Sequence, residues 1–128
     1  MPPAKTFLTP DGVAPPIGNG YSHAVLAGGV VYVAGQVGME PSGAIAAGFE
    51  AQARQAFENL KAVLAAAGAQ LSDVVKVTVL LVDRDDLAAY RAVREDYLPH
   101  LPASTLLVAK SLASPELLFE VEAVAVPD

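Results

Sequence analysis

Residues 48–71, GFEAQARQAFENLKAVLAAAGAQL, place Phe49, Ala53, Ala56, Leu60, Val63, Leu64 and Ala67 at helical spacing. No other stretch constrains the fold as much. An amphipathic helix must lay its apolar stripe on another element, and the sequence supplies one at once. The next segment, LSDVVKVTVLLVD, opens with a short turn and then runs apolar and β-branched from Val74 to Val82, as an internal strand should. Within the helix, Arg54 and Glu58 stand at i,i+4, and Gly68 occupies the place of a C-terminal cap.

A second helix is predicted in DRDDLAAYRAVREDYLPHLP. Its acidic start suits a helix N-terminus, and Leu87, Tyr90, Val93, Tyr97 and Leu98 form its apolar stripe. Residues 1–20, rich in Pro and Gly, read as an irregular arm with a short edge strand near Phe7. Strands near 22–27 and 30–36 flank Gly28-Gly29, a pair suited to a tight hairpin turn. A strand near 105–109, a loop KSLASPE and a last strand near 117–126 complete the chain. The order β-β-β-α-β-α-β-β predicts one α+β domain over 1–128. Two helices would cover one face of a mixed sheet. The other face would stay open and carry few charges. A large apolar patch of that kind implies association with further copies.

The composition excludes several functions. A net charge of −6, with no cluster of Lys or Arg, argues against nucleic acid as a partner. The absence of cysteine removes thiol chemistry and disulfides and fits a reducing cytoplasm. The first residues lack the apolar segment of a secretion signal, and the apolar runs are too short to span a bilayer, so a membrane location is not expected. Two histidines, His23 and His100, are too few for a zinc site, so no metal or other cofactor is expected. His100 follows YLP and reads as an exposed loop residue, while His23 sits beside Tyr21 on a strand and could line a pocket. AGGVVYVAGQ reads as a hairpin and lacks the spacing of a dinucleotide-binding turn.

The chemistry is concentrated in FEVEAVAV. Side chains alternate along a strand, so Glu120 and Glu122 share a face with Val124 and Val126, while Phe119, Val121 and Ala123 take the other. A carboxylate there is either solvated at a sheet edge, paired with Lys76 or Lys110, or engaged in a site.

YSHAVLAGGVVYVAGQVG, QARQAFENLKAVLAAAGAQLSDVVKVTVLLVD and LPAST…FEVEAVAV together resemble the RidA/YjgF family over residues 13–126. The resemblance implies a chorismate-mutase-like fold, with two helices on one face of a mixed sheet. It also implies a homotrimer with clefts between subunits that receive a small anionic metabolite. The implied activity is hydrolysis of reactive enamines and imines to 2-keto acids and ammonia. It places the catalytic carboxylate at Glu120, a pocket tyrosine at Tyr21 and a backbone-amide turn at Ala34-Gly35-Gln36. In the family motif P-A-R-[ST], the arginine holds the substrate carboxylate. This chain reads Pro102-Ala103-Ser104-Thr105, and a hydroxyl cannot replace a bidentate guanidinium. Arg91 aligns with a polar pocket position on the second helix. It is either a relocated anchor or part of a solvated face, bridging to Glu95. The implied substrate-binding set is therefore Tyr21, Gly35, Arg91, Ser104 and Leu106. A binding module without catalysis, built on the same assembly, is the alternative that the missing arginine suggests.

Overall fold

The computed structural model describes residues 4–128; the first three residues of the expected arm lie outside them. Six strands form one sheet: β1 (Thr6–Leu8), β2 (Ala24–Ala27), β3 (Val30–Val37), β4 (Val74–Leu81), β5 (Ala103–Val108) and β6 (Phe119–Ala125). Their spatial order is β1-β2-β3-β6-β4-β5. Only β4 and β5 run parallel, and the helix between them makes the crossover. The helices are α1 (Phe49–Ala66) and α2 (Leu87–Tyr97). The element order is the one read from the sequence.

Local chemistry explains the boundaries. Gly28 and Gly29 have φ of 58° and 78°, the two positive values that a type I′ hairpin turn requires. Gly68, at φ 78°, ends α1 as expected: its N–H donates to Ala65 O, and the Ala69 N–H donates to Leu64 O. A 3-10 turn at Arg84–Asp86 precedes α2, with Asp83 Oδ1 accepting from the Asp85 N–H at 2.8 Å. The acidic run therefore forms the entry turn, and α2 begins at Leu87.

The core lies between the helices and one sheet face. Val31, Val33, Val77, Val79, Leu81, Phe119 and Val121 supply the sheet side. Phe119 on β6 is shared by both helices, with ring centroids 5.7 Å from Phe57 of α1 and 5.7 Å from Tyr90 of α2. Burying each such ring stabilises the fold by about 1.5–3 kcal/mol.

The expected pair between Arg54 and Glu58 does not form. Arg54 lies on the flank of α1 that faces α2, and it bridges Glu50 at 3.0 Å and Asp96 at 2.9 Å. Glu58 lies instead beside Tyr97.

Buried amides fix the sheet ends. Gln52 donates to Glu116 O (3.0 Å) and accepts from the Leu118 N–H (2.8 Å), which locks the residues entering β6 onto α1. Asn59 donates to Val37 O and Met39 O, where β3 ends.

Candidate active site

The face of the sheet away from the helices carries Glu120 and Glu122. Register places Glu120 opposite Val37 on β3 and Leu80 on β4, and Glu122 opposite Thr78. Neither carboxylate makes an ion pair among the described residues. Lys76 stands opposite Val124, and Lys110 lies beyond the end of β5, so the lysine pairing weighed from sequence does not form. Burial first, and then the charge of Glu122, push the Glu120 carboxyl above the usual glutamate range.

Next to Glu120 the β3 ladder slips. Val33 pairs with Ala123 and Gln36 with Val121, so Ala34 and Gly35 form a bulge with one extra residue. The bulge lets the backbone of Gly35 lie directly against the Glu120 carboxylate, where a Cβ would collide with it. Gly35 is therefore required for close approach and not for an unusual φ.

Behind the bulge is a small cavity of about 20 Å³, room for roughly one water, lined in part by Ala14, Tyr21, His23, Gly35 and Gln36. The Tyr21 hydroxyl accepts from the Ile17 N–H at 3.1 Å, and the ring stands edge-on to His23. Tyr21 is 45% exposed at the mouth of this region. His23 is buried. Gln36 Nε2 donates to Ala34 O, so the same amide nitrogen must also donate to His23 Nδ1. His23 Nε2 then carries the proton and donates to Ala14 O at 2.7 Å. The imidazole lines the cavity but has both nitrogens committed, Nε2 to the arm at Ala14 and Nδ1 to Gln36 of β3. His100 bonds through Nε2 to Val74 O at 2.9 Å, as a loop residue tied to the sheet.

The remaining expected residues sit elsewhere in the chain. Ser104 pairs with Val77 and Leu106 with Val79, both core positions, so Ser104 and Leu106 point to the helix face. Glu120 points the opposite way. Gly35 touches Glu120 and also lines the cavity that holds Tyr21, whereas Ser104 and Leu106 lie apart at the β5 edge. Arg91 is exposed on α2 and makes no ion pair with Glu95 among the described residues. Tyr90 is beside Ser104, and Arg94 is near Tyr90. The sequence did carry that signal: Arg94 is four residues after Tyr90, hence on the same helix side as a core tyrosine.

Among the described residues, no three His, Cys, Asp or Glu side chains cluster to hold a metal, and no helix is long and apolar enough to cross a membrane.

The family model described as Endoribonuclease L-PSP matches residues 12–127. A RutC family protein of Pyrococcus horikoshii is 38% identical over 123 residues, covering 94% of this chain and 97% of that one. The 2-iminobutanoate/2-iminopropanoate deaminase of Rattus norvegicus is 38% identical over 116 residues, covering 88% of this chain and 84% of that one. The crystal structure of RidA from an Antarctic Psychrobacter superposes with a TM-score of 0.90 at 36% identity, covering 94% of this chain and 98% of that one.

Proposed function

The chain belongs to the RidA/YjgF family, and on that premise we propose that it hydrolyses a reactive enamine or imine to a 2-keto acid and ammonia. One observation carries the reading: Glu120 is a half-buried carboxyl, without an ion-pair partner among the described residues, seated on a glycine bulge. Such a group binds and releases protons closer to neutrality than an ordinary glutamate. Glu120 takes a proton from water as the oxygen adds to the imine carbon. That proton passes to the nitrogen, the proton of the new hydroxyl follows by way of the same carboxylate, the carbon–nitrogen bond breaks, and ammonia leaves a carbonyl behind. Backbone at Gly35 and the ring of Tyr21 shape the space around the reacting carbon. The family is typically homotrimeric, and we take the site to lie in a cleft between copies of a cytoplasmic assembly. Only there can the Glu120 group of one copy meet the Ser104 edge of the next.

Ser104, where the family motif has arginine, favours a second reading: the same assembly binding a small carboxylate, or a protein partner, without turnover. The ribonuclease in the family model's description is less well supported. The chain carries a charge of −6, and both ring nitrogens of His23 are engaged, with Ala14 O and Gln36 Nε2.

The test is ammonia release from imines generated by an amino-acid oxidase. Wild type should accelerate it, and Glu120→Ala should lose about 10²–10⁴-fold of that acceleration. Equal rates for the two proteins, at or near the buffer rate, would leave the binding reading in its place.

A further inference from the structure

A bulge interrupts the ladder, so the main chain at the extra residue needs support from elsewhere. At Ala34 that support comes from His23 by two routes. The Ala34 N–H donates to the main-chain O of His23 at 2.8 Å. The Ala34 O accepts from Gln36 Nε2 at 3.1 Å, and the other hydrogen of that amide goes to His23 Nδ1, also at 3.1 Å. A carboxamide nitrogen carries two hydrogens, and both are used here.

The direction of these bonds is fixed by chemistry. Ala34 O only accepts, so the amide must turn its nitrogen toward the bulge. His23 must then offer a bare Nδ1, and the bond from its Nε2–H to Ala14 O at 2.7 Å keeps the ring in that tautomer. Both side chains are buried. Removing the acceptor at Nδ1 leaves one amide hydrogen unpaired in the interior, which favours a turned amide with no bond to Ala34 O. The peptide between Ala34 and Gly35 is planar. A held Ala34 O therefore also sets the direction of the Gly35 N–H and the course of the backbone that meets the Glu120 carboxylate.

We propose that Gln36 and His23 are positioning residues: Gln36, oriented by His23, holds the Ala34–Gly35 peptide in the setting that seats Glu120. Both act through the backbone and not on the ligand. Their effect on turnover rests on the deaminase reading above; their hold on the bulge does not.

The test is NMR of the intact assembly, read at the Ala34 carbonyl carbon, which senses the bond from Gln36, together with imine hydrolysis by the same variants. Gln36→Met keeps the volume and removes the donor. His23→Phe keeps a ring and removes the acceptor. In both, the Ala34 carbonyl resonance should move upfield with those of Val31 and Val33 unchanged, and kcat should fall about tenfold to a hundredfold with little change in KM. His23→Asn places an amide oxygen where Nδ1 stands but falls short of Ala14. It should return the Ala34 carbonyl to its wild-type position and recover most of kcat, while its melting temperature stays below wild type because the arm has lost its bond. A wild-type Ala34 carbonyl in both Gln36→Met and His23→Phe overturns the proposal. So does a His23→Asn chain that turns over no faster than His23→Phe despite a restored carbonyl. Carbonyl resonances that move along the whole of β3 overturn it too, because the pair would then serve the fold alone. An Ala34 carbonyl that moves as expected in a protein without turnover keeps the hold on the bulge and removes the deaminase. Turnover in wild type that both variants match, with the Ala34 carbonyl in place, does the reverse.

Discussion

Glu120 is held where its charge is disfavoured, and this gives its pH dependence a definite sign. Its carboxyl is raised in the folded chain, by burial first and Glu122 second. Well below the ordinary glutamate value of about 4.3, folded and unfolded chains both keep the proton and the residue is neutral to stability. As pH rises through that value the unfolded chain ionises first, and a penalty grows until the folded carboxyl has ionised too. Thermal melts of Glu120→Gln should therefore match wild type in acid and exceed it at neutral pH; a gap that widens toward acid would reverse the assignment. If Glu120 acts as the base, kcat/KM should rise with pH through the same raised value, and Glu120→Gln should lose that limb. Gly35→Ala should act on the same group: its methyl displaces the carboxylate and should cost about a hundredfold in kcat/KM while the fold survives. An active Gly35→Ala enzyme would show that the close approach is dispensable. Strand alternation was enough to place Glu120 on the outer face from sequence. It could not show the bulge at Ala34 and Gly35 that seats the carboxylate, because a slip in register depends on the partner strand.

At the scale of elements, the position of Glu120 depends on how β6 enters the sheet. Gln52 holds Glu116 O and the Leu118 N–H, two residues before the catalytic candidate. Gly38 lets α1 come close enough for this, since a Cβ there would strike the Gln52 backbone. Gln52→Ala orphans two backbone groups and should lower unfolding free energy by at least about 1–3 kcal/mol in urea. Gln52→Glu keeps the acceptor for Leu118 and should fall between the two. A Gln52→Ala chain as stable as wild type would mean that water replaces the clamp without cost. Helical and strand periodicity made every element legible, because each has one clean apolar face. Periodicity carries no information on this clamp: a buried glutamine in an amphipathic helix reads as surface until the loop that covers it is known. The Arg54 pairing failed for the same reason, because the deciding partner, Asp96, lies on the other helix.

The whole molecule leaves one sheet face and one sheet edge uncovered. Tyr32 is 51% exposed and Leu107 is 53% exposed, both on the side away from the helices, with Leu80 and Val124 between them. Association through this face was expected from the small number of charges on the strands, and it carries a geometric consequence. Within one chain Glu120 and Ser104 point to opposite sides of the sheet, so a single site using both must draw them from two copies. In a cyclic assembly every interface then pairs the Glu120 half of one copy with the Ser104 half of its neighbour. Glu120→Ala, and Ser104→Trp with its bulk at the β5 edge, should each be nearly inactive alone. Unfolded together in equal amounts and refolded, they should form about a quarter of their interfaces with both halves intact, and recover about a quarter of wild-type activity. If Glu120 and Ser104 served the same site from one chain, mixing would recover nothing, because every chain would still carry one of the two changes. Leu107→Glu supplies the complementary arm: a charge on the shared face should shift the assembly toward single chains by light scattering and abolish turnover with Glu120 and Ser104 both present. Activity retained by dispersed single chains would place the whole site within one copy and remove the two-copy arrangement.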